Sequence, residues 1–143
     1  MADLIYNSFF TDLSKGNIDL DTDTFKLMLV TSAYTPTKTH AKRSDITNEV
    51  TGTGYTAGGA TLANVTVTQD NTNDLAKFDA DDVSWATSTI TARGAVLYKA
   101  RGGAASADEL VKYFDFGSDQ SSVGAAFTVQ FNANGILQIK NGS

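Results

Sequence analysis

The side chains best suited to chemistry are few and mostly acidic. Asp19, Asp21 and Asp23 set three carboxylates at alternate positions, as a calcium-binding loop begins. If Asp19 opens such a loop, Thr24 stands where the sharp-turn glycine belongs and Val30 where the bidentate glutamate belongs. That excludes an EF-hand and leaves a looser cation site or a solvated acidic start to a strand. Asp79, Asp81 and Asp82, with Asp74 nearby, form a second acidic group. Glycoside hydrolysis needs two carboxylates held about 5–10 Å apart across a cleft, whereas Asp-rich turns in β proteins commonly serve local hydrogen bonding. His40 is the only imidazole, and there is no cysteine. A hydrolytic triad or a zinc site would rest on that one residue, so an exposed loop histidine is expected. The run Gly52-Thr53-Gly54-Tyr55-Thr56-Ala57-Gly58-Gly59 looks like a dinucleotide fingerprint. The residues after Gly59 are strand-like where that mechanism needs a helix, so a tight or bulged turn anchored by Tyr55 is the expectation. No catalytic residue, metal or cofactor is assigned.

These residues must be placed by the elements between them. Ile5, Phe9 and Leu13, with Tyr6 and Phe10, form one helical stripe over residues 4–13, followed by Lys15-Gly16 as a helix stop. The spacing predicts a short N-terminal helix within 1–16. Residues 25–30 are apolar almost throughout, as in a strand covered on both faces. A long loop at 35–59 holds the only proline, four of the glycines and the trio His40, Lys42 and Arg43, with a short helix expected at 44–50. Further strands are expected at 61–68, 76–80, 83–85, 94–100, 110–116, 126–131 and 136–140, separated by turn signals at 70–74, 101–103, 117–119 and 132–135, the last read as a hairpin. Trp85, Tyr98, Tyr113, Phe114 and Phe116 fall on these strands, as core or as an exposed platform for a sugar or peptide. The pattern predicts a mainly β chain: one domain over 1–143, an antiparallel β-sandwich or jelly-roll-like fold with a short N-terminal α-helix.

Composition narrows the partners. At 143 residues with 41% hydrophobic and 19% charged content, the chain is an ordinary globular length that must be held by packing and hydrogen bonds. A net charge of -5 with scattered Lys and Arg disfavours nucleic acid. The first residues lack a signal-peptide pattern, and no apolar run approaches the ~20 residues that span a bilayer, so no membrane partner is expected.

Longer stretches carry a family likeness. Leu4-Ile5-Tyr6-Asn7-Ser8-Phe9-Phe10, the run from Ile18 through Phe25 to Pro36, and Asn48-Glu49-Val50-Thr51-Gly52-Thr53-Gly54-Tyr55-Thr56-Ala57-Gly58-Gly59 are the first of them. Phe78-Asp79-Ala80-Asp81-Asp82-Val83-Ser84-Trp85, Thr89 to Tyr98 and Tyr113 to Ser122 continue it over nearly the whole chain. Together they resemble a family of small virion proteins from tailed bacteriophages. The resemblance implies a virion structural protein, most like a capsid decoration (cement) protein on the head exterior. Its implied partners are the major capsid protein and copies of itself, as a homotrimer. A tail or baseplate component and a carbohydrate-binding module are the alternatives. The elements a minimal sandwich does not require, at 1–10, 35–59 and 102–107, are the expected contact regions. Tyr6, Phe10, His40, Lys42, Arg43, Tyr55, Arg93 and Arg101 are the expected contact residues, the cationic ones pairing with acidic groups on a partner.

Overall fold

A computed structural model describes residues 2–142. It is mainly β, with antiparallel sheets and one short helix near the N-terminus. The central strand β2 (Phe25–Val30) is the apolar run of the sequence, and alternation divides its side chains between two cores. Phe25, Leu27 and Leu29 enter the larger cluster, Met28 and Val30 the smaller. β2 pairs antiparallel with the end of β6 (Val83–Lys99), from Phe25 opposite Lys99 to Val30 opposite Gly94.

The N-terminal stripe divides between two elements. Leu4–Ile5 form β1, opposite Tyr113 and Lys112 of β7 (Leu110–Val129), and helix α1 runs over Asn7–Ser14 rather than from Leu4. Pairing with β7 outcompetes helix propagation there, and it sends Phe9 into the larger core and Tyr6 into the smaller. Gly16, at φ 77°, ends the helix region as its sequence predicts.

Residues 61–68 do not form one strand. Ala60–Thr61 (β3) pairs with β2, Asn64 at φ 53° breaks the chain, and β4 (Thr66–Asp70) joins a second sheet. β4 and β5 (Leu75–Asp79) make a hairpin whose turn is held by Asp70 Oδ1, which accepts the Thr72 and Asn73 N–H groups at 2.9 and 3.0 Å. β8 (Leu137–Lys140) pairs with the other side of β5. The 132–135 turn is therefore not a hairpin: it carries the chain from the first sheet, ordered β1-β7-β6-β2-β3, to the second, ordered β4-β5-β8.

The largest departure from expectation is the β6–β7 ribbon. The sequence pattern predicts four short strands there; two long ones are found, 17 and 20 residues, antiparallel throughout with four register shifts. The Gly117-Ser118-Asp119 turn signal does not end β7. Residues 116–119 bulge opposite Arg93 alone, with Gly117 at φ 81° and its N–H donating to Asp115 Oδ1 at 2.8 Å. The bulge bends the ribbon sharply. Phe116 and Phe127 have ring centroids 6.2 Å apart, where a straight strand would separate such positions by about 35 Å. Both halves of the ribbon thus reach one core, in which Trp85, Ile90 and Val129 join Leu27, Leu97 and Val111, and Phe78 of the second sheet meets Phe25 at 5.4 Å.

Candidate interaction surface

Arg43 of the long loop and Arg101 after β6 are engaged by the chain's own carboxylates. Arg43 donates from Nε to Asp108 Oδ2 at 2.7 Å and lies 5.2 Å from the Tyr98 ring centroid. Arg101 grips Glu109 with two prongs, Nε to Oε1 at 2.7 Å and Nη2 to Oε2 at 2.6 Å. Both carboxylate side chains are only 3% exposed. The guanidinium of Arg101 holds the Glu109 carboxyl below its ordinary range against the opposing effect of burial, and Lys42 adds attraction. Backbone bonds from Arg43 N to Asp108 O and from Leu110 N to Ala41 O stitch residues 41–43 to the β6–β7 connection. The expected helix at 44–50 is a single 3-10 turn, Arg43–Asp45. Asp45 Oδ2 accepts the Ala41 and Lys42 N–H groups, and Asn48 at φ 60° leads into a bridge between Glu49 and Val30. Arg93 pairs with Asp115 at 3.2 Å, at the ribbon bend.

His40 is half-buried rather than exposed. Its Nδ1 is 2.9 Å from the Tyr34 hydroxyl, which is 2.9 Å from the Tyr6 hydroxyl. Tyr6 is 0% exposed, so this expected contact residue is a core residue instead. Burial, reinforced by the Tyr34 hydrogen bond, pushes the Tyr6 phenol far above its ordinary range and keeps it neutral. The relay seats residues 34–40 on the second face of the first sheet, giving the smaller core its cover.

The glycine-rich run forms a hook rather than a phosphate cradle. The Tyr55 hydroxyl donates to Glu49 Oε2 at 2.7 Å and accepts the Leu29 N–H at 2.9 Å, while the Gly58 N–H donates to the same carboxylate oxygen at 2.7 Å. Burial is the main cause that raises the Tyr55 pKa, and the Glu49 carboxylate adds to it. The Tyr55 ring packs on Trp85 at 5.7 Å. Thr53 bridges Thr89, and a Cβ on Gly54 or Gly59 would overlap backbone atoms of Thr87 or Leu27. The hook covers the outer edge of β6 near its middle.

The acidic groups also serve the backbone. Asp19 Oδ1 accepts from Asp21 and Thr22, and Asp23 Oδ2 accepts the Asp19 N–H at 2.7 Å and pairs with Lys99 at 2.9 Å. Asp82 Oδ1 accepts the Phe131 N–H, and Asp81 accepts from the Asn64 side chain. Among the described residues no group of three or more His, Cys, Asp or Glu is arranged to hold a metal ion.

The exposed large hydrophobic side chains are few and dispersed. Trp85, Tyr98 and Tyr113 are core, which removes them from any sugar platform. Among the described residues, Phe10, Val67, Val123 and Ile139 are the large hydrophobic side chains left exposed. Phe10 borders an open cleft of about 430 Å³ with Leu4 and Ile5. A neighbouring cleft of about 410 Å³ is walled by Phe114, Phe116, Val129 and Phe131, which the ribbon bend brings together. Val67, Ala76 and Ile139 line a third, of about 700 Å³, where the second sheet extends past the core. Their register puts Val67 and Ile139 on the same face as Phe78 and Leu137, but the sheet overhangs its neighbour. Comparison with family models, with curated proteins and with solved structures found no match for this chain.

Proposed function

We propose that the protein is a non-enzymatic virion structural component of a tailed bacteriophage, a decoration protein that binds the outer surface of the head and stabilises it. The observation that carries the reading is where the family-like stretches fall. Asn48 to Gly59 builds the hook over β6, and Tyr113 to Ser122 builds the ribbon bend. The resemblance therefore lies in residues that hold the molecule's shape. A shell under internal pressure needs such a rigid clamp, repeated at symmetry-related sites. The partners in this reading are the major capsid protein and copies of the chain itself, as a homotrimer, and the location is the virion.

The test is a particle image combined with removal of the protein. Hundreds of copies on the head, and heads that lose heat or osmotic stability when stripped, are the expected results. Heads equally stable without it would sink the decoration role. A handful of copies at the tail tip would move the protein to the tail.

A further inference from the structure

Two of the clefts adjoin where β1 meets β7, and they share Asp3 and Lys112. On one side of this pair stands Phe10, 55% exposed on helix α1. On the other lies the recess walled by Phe114, Phe116 and Phe131. Asp3 keeps 48% of its side chain exposed, and its carboxylate is 3.9 Å from Lys112 Nζ, beyond a hydrogen bond. Lys112 Nζ donates to Ile136 O at 2.8 Å and sits 4.8 Å from the Phe114 centroid. An ammonium has three donors, so capacity for a further carboxylate is left at the junction.

We propose that this face joins copies of the chain, with Phe10 of one copy seated in the phenylalanine-walled recess of the next and Asp3 of one copy paired with Lys112 of the other. The argument for a second copy is self-complementarity. One face carries an apolar projection and an apolar recess on opposite sides of an acid and a base. A half-turn about an axis between Asp3 and Lys112 lays projection on recess and acid on base. A foreign partner would have to reproduce both halves of that pattern, and this chain already carries them. The half-turn makes the contact twice and closes it between two copies, so in it two chains, or two of the proposed trimers, meet face to face. The contact rests on the self-association proposed above and adds to it the face by which copies meet.

The test is analytical ultracentrifugation of the full chain from micromolar to several hundred micromolar. Oligomers of the wild-type chain are expected. Phe10→Ser should weaken association by about tenfold or more, as loss of an aromatic anchor does at an interface, with the thermal transition unchanged at dilutions where both proteins are monomeric, because Phe10 stands outside the core. Asp3→Asn preserves the acceptor for the Asp115 N–H but removes the charge, and should weaken association several-fold with a reduced salt dependence. A wild-type chain monomeric throughout would overturn the proposal. So would a dimer or trimer whose mass does not respond to Phe10→Ser. Particle imaging decides the virion reading separately, so the two can fail independently.

Discussion

Arg43 and Asp108, 65 residues apart in sequence, meet at 2.7 Å and close the long loop onto the end of the β6–β7 ribbon. The carboxylate side chain is 3% exposed and the guanidinium 24%. Arg43→Met therefore strands a buried charge. Breaking a fully buried pair costs about 3–5 kcal/mol, and the partial exposure of Arg43 reduces the expected loss to about 1–3 kcal/mol. Urea unfolding with unchanged slope would measure it; a loss below a few tenths would show that Asp108 finds water instead.

Acid should weaken the same corner. Arg101 depresses the Glu109 pKa below its ordinary 4.5. A depressed carboxylate contributes stability that is present above its unfolded-state value and lost as the pH falls through the folded one. This contribution is flat from pH 8 to about 5 and declines below about 4.5. Asp45, lowered by the Ala41 and Lys42 N–H groups, acts in the same direction. In urea midpoints measured from pH 7 to 2, Glu109→Gln should start lower and fall less steeply. An acid limb as steep as that of the wild-type chain would assign the loss to other carboxylates.

The glycines of the hook and those of the open loops should behave differently. Gly59 and Gly102 share φ +81°, but a Cβ on Gly59 would meet the Leu27 backbone, while one on Gly102 meets nothing within 4 Å. Gly102→Ala carries only the left-handed penalty of about 1–2 kcal/mol, and Gly59→Ala adds an overlap of similar size, about 3 kcal/mol or more together. Thermal denaturation of the two variants side by side tests this, and equal losses would remove the close-approach argument.

Tyr55→Phe deletes a hydroxyl that serves both the Leu29 N–H and Glu49. The ring contact with Trp85 should persist while the loss is about 1–3 kcal/mol. Faster hydrogen exchange at the Leu29 amide, with most of β2 still protected, is the accompanying signature.

Parts of this molecule are legible in the sequence. Phe25–Val30 is one buried strand because nearly every residue is apolar, and the alternation and turn signals correctly give a mainly β, antiparallel chain with one short helix. The ribbon is not legible. Gly117-Ser118-Asp119 has the composition of a chain-reversing turn, and only pairing across to Arg93 and Ala92 turns it into a bulge within one strand. Partnership of charge is hidden for the same reason. Nothing local to Arg43 announces Asp108, so cations expected to face a partner are found holding the chain's own loops. Leu4 and Ile5 fit the helical stripe equally well, and only the presence of Lys112 and Tyr113 alongside makes them a strand.

The bend at Arg93 and residues 116–119 also determines how the molecule can fail. Opposing walls of the larger core are in part the two arms of one continuous ribbon, joined through the backbone at the bend. They cannot slide or swing apart as separate plates, because parting them means straightening the ribbon and unpairing Arg93 from Asp115. Melting is then an all-or-none event for that core, with a calorimetric enthalpy equal to the van't Hoff value. Such a body transmits a load from one wall to the other instead of absorbing it.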